Sequence, residues 1–159
     1  MKPWMLLSMC SSLRLRSTLP AVVPALVIGT GAMVAQLVPA AQSATRSVWD
    51  GVYTEAQAKR GMAGYQEQCS FCHLADLSGE GFAPALIEDT FKSRWQDGNL
   101  GDLFIIVKQT MPQDKPASLS DQEYAEIVAF LLKSNKYPAG EQPLEPNPAA
   151  LKGIGFKKP

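Results

Sequence analysis

Histidine occurs once in these 159 residues and cysteine three times. A metal held by two imidazoles of this chain is therefore excluded. A closed zinc site needs four protein ligands. Cys10 lies far from Cys69, Cys72 and His73, in a segment with the marks of a leader, so a soft fourth ligand is missing. Excess charge of one sign is also lacking, since 15 Lys+Arg balance 15 Asp+Glu. Lys2, Arg14 and Arg16 fall in residues 1–44, which carry no acid, leaving 12 cations against 15 acids beyond them, a net −3. A chain so balanced gives no sign of the basic face that phosphates need, which argues against a nucleic-acid partner. Strand-like runs are scarce: Phe104-Ile105-Ile106-Val107 has no second run to pair with, so helix is preferred there. There is no internal repeat. Beyond residue 44, methionine is limited to Met62 and Met111.

What is present is concentrated in Cys69-Ser70-Phe71-Cys72-His73. This C-x-x-C-H pattern signals c-type haem attachment. Two thiols add across the two vinyl groups of one porphyrin, and the two intervening residues let a single turn of chain reach both. The next side chain, His73, then gives an imidazole nitrogen to iron as proximal ligand. A thioredoxin-like C-x-x-C wants a βαβ setting, whereas these flanks read as helical. A plain Cys69–Cys72 disulfide leaves the adjacent sole histidine without a reason. The other iron ligand is methionine, lysine or none. Met62 falls on a helical stripe with Ala58 and Tyr65 and reads as core. Met111 precedes Pro112, which restricts it to extended backbone, a conformation able to hold its thioether towards iron. Cys69, Cys72, His73 and Met111 are therefore the cofactor-binding candidates, with His73 and Met111 on the metal; no residue reads as catalytic.

Residues 1–44 run from basic to apolar to small, ending in Pro39-Ala40-Ala41-Gln42-Ser43-Ala44. That order fits a secretory signal peptide. The apolar run from Leu19 to Ala41 is long enough to span a bilayer, so a retained membrane anchor is the alternative. Pro20, Pro24 and the small-residue exit favour removal. Export to the periplasm agrees with covalent haem attachment.

The remaining chain reads as helices. Thr54 caps a helix over Glu55–Gln68, in which Gly61 and Gly64 point to a close helix crossing. Thr90–Gln96 is a shorter candidate with Phe91 and Trp95 on one face, and Asn99 caps Leu100–Gln109. Gly79–Pro84 reads as a loop. Ser120-Asp121-Gln122-Glu123 is a capping box, with Leu119 and Tyr124 placed as a hydrophobic staple. It opens a helix to about Ser134, with Tyr124, Ile127, Val128, Leu131 and Leu132 as its apolar stripe. From residue 138 onward, Pro138, Pro143, Pro146 and Pro148 predict an extended tail over the surface, with Ala149–Phe156 docking back as a turn of helix. The expected organisation is a signal over 1–44, a domain over 45–137 and a proline-rich tail over 138–159.

With these residues in view, the chain resembles class I c-type cytochromes. The resemblance rests on Gly61, Tyr65, the Cys69–His73 motif, Pro84-Ala85-Leu86, Met111-Pro112 and the helix bearing Tyr124 and Leu131. It implies an all-α domain of about four helices around one covalent haem c, with the first and last helices crossing near Gly61. It also implies that the Pro84 carbonyl accepts a hydrogen bond from His73, and that Trp95 or Arg94 reaches a haem propionate. Ser47–Thr54, Ala75–Gly79, Leu100–Phe104 and Tyr137–Gly140 are further similar to cytochrome domains or subunits that accompany bacterial quinoprotein (alcohol) dehydrogenases. The function so implied is periplasmic transfer of single electrons from a dehydrogenase to a respiratory acceptor such as an oxidase or another cytochrome. The alternative is a haem enzyme or gas-binding protein with an open sixth iron position, against which the absence of a distal histidine counts.

Overall fold

The computed structural model describes residues 46–158; the expected leader lies outside them. The first long helix, α1 (Glu55–Gln68), starts where Thr54 turns extended and its hydroxyl accepts the Gln57 N–H at 3.1 Å. A single turn, α2 (Ser70–His73), follows after Cys69. Next come α3 (Glu88–Trp95) and α4 (Leu100–Thr110), the latter capped by the Asn99 side chain accepting from the Asp102 N–H. The expected capping box opens α5 (Asp121–Ser134): Ser120 accepts from the Glu123 N–H while the Glu123 carboxylate accepts from the Ser120 N–H. A last turn, α6 (Pro148–Leu151), lies in the tail. Among the described residues the fold is all-α, four longer helices and two single turns, save for a 3-10 turn over Val48–Asp50, capped reciprocally by Ser47 and Asp50, and the two-residue strands β1 (Arg46–Ser47) and β2 (Ile154–Gly155). No helix among the described residues is long and apolar enough to cross a membrane.

The helices α1 and α5 cross at Gly61. A β-carbon on Gly61 would sit 1.7 Å from the Glu126 carbonyl oxygen, so only glycine permits this approach. Gly64 is less constrained, its nearest neighbour being the Ile127 side chain at 3.6 Å. The buried stripe of α1 is Gln57, Ala58, Gly61 and Tyr65. Met62 was expected in that stripe and is instead 40% exposed. One residue is about 100° of helix, and the tight glycine crossing buries too narrow a face to include it.

Residues 138–158 do not simply run over the surface. Leu144, Leu151, Ile154 and Phe156 are buried in the common core. The Gln57 side chain, itself fully buried, donates to the Leu144 carbonyl at 3.0 Å and accepts from the Leu144 N–H at 2.7 Å. Parallel pairing of β2 with β1 matches Arg46 to Ile154 and Ser47 to Gly155. Phe156 then stacks against Phe91, Trp95 and Tyr137.

The two glycines of α1 should respond with opposite signs. Gly61→Ala is expected to lose about 2 kcal/mol or more, because overpacking outweighs its gain of roughly 1 kcal/mol in helix propensity. Gly64→Ala, at ordinary contact distance, is expected to gain about 0.5–1 kcal/mol. Denaturant unfolding followed by circular dichroism distinguishes the two; equal effects would contradict the crossing.

Candidate functional site

The Cys69–His73 motif is shaped by the end of α1. The Cys69 N–H closes α1 on the Tyr65 carbonyl at 2.9 Å, and the Cys69 carbonyl then accepts from Cys72 and His73. Chain direction changes at Cys69, and α2 puts the two cysteines and His73 on one turn. Both cysteines are free thiols, Cys69 half-buried and Cys72 exposed. Burial, with Cys72 beside it, pushes the Cys69 thiol up to about 11. At neutral pH the unligated thiol keeps its proton.

His73 is 7% exposed, and its Nδ1 lies 2.9 Å from the Pro84 carbonyl oxygen. With the proton on Nδ1, the ring donates to Pro84 and keeps Nε2 as an electron-pair donor. The loop that brings Pro84 round depends on Gly79, at φ +70, where a β-carbon would meet the Ala83 carbonyl oxygen at 2.3 Å. The Gly79 N–H also donates to the His73 carbonyl at 3.0 Å. Beyond Pro84, the buried Asn135 side chain accepts from the Glu88 N–H and donates to the Leu86 carbonyl, joining this loop to the end of α5.

Tyr65 anchors the residue after the histidine. Its hydroxyl donates to the Leu74 carbonyl at 2.7 Å, holding Leu74 at φ +60, a conformation that side chains rarely adopt. Burial above all, then Cys69 and Asp76, raises the Tyr65 phenol well above the usual tyrosine range, so it remains a donor. Met111 ends α4 in extended backbone, φ −128 and ψ 149, as the proline after it requires. Its N–H donates to Val107 at 2.9 Å, and its carbonyl accepts from the Tyr124 hydroxyl at 2.8 Å. Tyr124 thus does more than staple α5, and Asn135 and the Tyr65 hydroxyl are further supports. Nothing in residue spacing signals these three roles, which depend on tertiary approach. Trp95 packs on Phe156, and the Arg94 guanidinium lies 5.4 Å from the Trp95 ring centroid.

The donor set can be tested against a haem. Among the described residues no three His, Cys, Asp or Glu side chains gather to hold a bare metal ion. A single imidazole with its outer nitrogen tied down, beside two unpaired thiols on one turn, fits instead a metal that brings its own ring and is tethered through sulfur. Replacing Tyr65 by Phe should lower stability by about 1 kcal/mol, the worth of one hydrogen bond, by freeing Leu74. Denaturant titration of the haem-loaded protein reads this; an unchanged midpoint would show that the bond contributes nothing.

Residues 56–131 match the family described as cytochrome C oxidase, cbb3-type, subunit III. The match supports a class I c-type cytochrome domain over that segment, and such a domain carries covalently bound haem c. It spans the cysteine–histidine motif, Pro84, Met111 and most of α5. No curated protein and no solved structure matches the chain.

Proposed function

We propose that this protein is a monohaem c-type cytochrome that carries single electrons in the periplasm. The observation that carries the reading is the buried His73, held by Pro84 at 2.9 Å beside a pair of free thiols. When bound, the haem supplies a ferrous/ferric couple that accepts or gives one electron. Cys69 and Cys72 would hold it through two thioether links, and His73 would give Nε2 to the iron. The Pro84 carbonyl fixes the imidazole ring and raises its basicity as a ligand. Met111 would give its thioether to the iron as well, its backbone held by Val107 and Tyr124. A soft thioether favours the reduced metal and raises the potential relative to harder ligands. The chain has no second histidine to act on bound oxygen or peroxide, which supports a carrier over a catalyst.

The signal-like pattern of residues 1–44 supports export. We infer a dehydrogenase as electron donor, and the resemblance set out above favours a quinoprotein enzyme. A respiratory oxidase or another cytochrome is the acceptor. The matched family description names an oxidase subunit, which supports an acceptor in a respiratory chain.

The ferric holoprotein should be six-coordinate and low-spin, with a thioether-to-iron charge-transfer band. Met111→Ala should abolish that band and lower the reduction potential while leaving the haem attached. A band that persists in the variant would remove Met111 as ligand. A high-spin native spectrum with rapid binding of added ligands would favour a haem enzyme or gas-binding protein.

A further inference from the structure

We propose that Phe71 and Phe82 form the apolar centre of a docking surface for a redox protein that presents an apolar patch ringed by lysine or arginine. The proposal rests on the electron-carrier reading above and names the chemistry of the partner.

Among the described residues the two phenylalanines stand apart in their exposure. Phe71 is 96% and Phe82 108% exposed, whereas the other large apolar residues at the surface, Trp49, Met62 and Ile106, stand near 40%. Scattered half-exposed apolar residues are ordinary. Two fully exposed aromatic rings, each two residues from a partner in the His73–Pro84 contact, are not, and aromatic side chains are enriched in the buried centres of protein interfaces. Both rings lie beside the attachment site. Phe71 sits between Cys69 and Cys72, two residues before His73. Two residues on a helical turn are about 200° apart, so with His73 facing inward Phe71 faces out. Phe82 lies two residues before Pro84, the residue whose carbonyl holds His73. One hydrogen bond therefore brings the two stretches of chain together.

The loop holds Phe82 outward. The Ala83 N–H donates to the Glu80 carbonyl at 2.9 Å, closing a turn with Gly81 and Phe82 at its tip. Gly81 adopts φ +60, and a β-carbon there would meet nothing within 4 Å. This corner projects away from the body of the protein.

Charge selects the partner. Residues 61–91 carry Glu67, Asp76, Glu80, Glu88 and Asp89 and neither lysine nor arginine. Glu67, Asp76 and Glu80 are exposed, and none of the described ion pairs uses them. Asp76 is held below the usual carboxylate range by the Ser78 hydroxyl and N–H, so it stays charged. The Met111–Leu119 stretch adds one acid and one base, Asp114 and Lys115, and leaves the sign unchanged. Exposed acids flanking the two rings in the chain repel a second copy of the same face and an anionic lipid surface. They attract a basic protein, speeding encounter, while the phenyl rings orient the contact next to the attachment cysteines.

Stopped-flow oxidation of the ferrous holoprotein tests this with two probes. Ferric mitochondrial cytochrome c presents a lysine-ringed haem edge, and hexacyanoferrate(III) is a small anion without an apolar face. With cytochrome c, the wild-type second-order rate should fall as salt rises from about 20 to about 200 mM, where screening shortens the reach of surface charge. The double variant Phe71→Ser/Phe82→Ser should react about fivefold or more slowly, as loss of central interface contacts would give. Glu67→Gln/Glu80→Gln should flatten the salt dependence. With hexacyanoferrate(III) the phenylalanine variant should match the wild type, and its absorption spectrum should be unchanged. A wild-type rate with cytochrome c in the phenylalanine variant would overturn the proposal. So would equal slowing with both oxidants, because the substitutions would then act on the iron site. A wild-type protein that reduces neither oxidant would defeat the carrier reading itself, and the docking surface with it.

Discussion

The close approach of α1 to α5 at Gly61 governs the rest of the structure. With a β-carbon 1.7 Å from the Glu126 carbonyl oxygen, no other residue allows the two backbones to meet there. Each helix carries part of the site away from this contact. At its C-terminal end α1 delivers Tyr65 and Cys69, and so the turn holding Cys72 and His73. Near its N-terminal end α5 delivers Tyr124, whose hydroxyl holds the Met111 carbonyl. The C-cap of α5, Asn135, fixes the chain beyond Pro84. Histidine, proline and methionine segments are thus all referred to one helix crossing.

The C-terminal segment completes what the helices leave open. A domain of about a hundred residues has a limited core, and here the tail enlarges it. The buried Gln57 amide pairs both polar groups of the Leu144 backbone, which could not otherwise be buried without cost. The Tyr53 hydroxyl donates to the Tyr137 carbonyl at 2.7 Å, and the Gly140 N–H donates to the Tyr53 carbonyl at 2.7 Å, fastening the start of the tail to the lead-in before α1. Phe156 then closes over Phe91 and Trp95, the buried face of α3. The polar surface of the tail, with its prolines, conceals this role in the sequence.

Local chemistry explains what was legible. The caps Thr54, Asn99 and Ser120 are side chains bonding within three residues of themselves, so α1, α4 and α5 begin where the sequence indicates. The Cys69–His73 spacing likewise encodes a single turn, and the resemblance supplied the Pro84 contact that the structure contains. Met62 was misjudged because helical spacing gives the direction of a stripe and not its width, which the glycine crossing narrows. The β1–β2 pairing escaped because two-residue strands have no period to detect. The reciprocal Ser47–Asp50 cap was legible in principle, a serine followed three residues later by an acid. The Tyr65, Tyr124 and Asn135 contacts are long-range products of packing and have no local signature.

Every functional statement depends on a haem joined covalently to Cys69 and Cys72. The direct measurement is to denature the haem-loaded protein, extract it with acidified organic solvent and weigh the polypeptide by intact mass spectrometry. The account predicts that the colour stays with the protein and that the mass exceeds that of the unmodified polypeptide by one haem. Colour that partitions into the solvent, or a polypeptide at its unmodified mass, would contradict it.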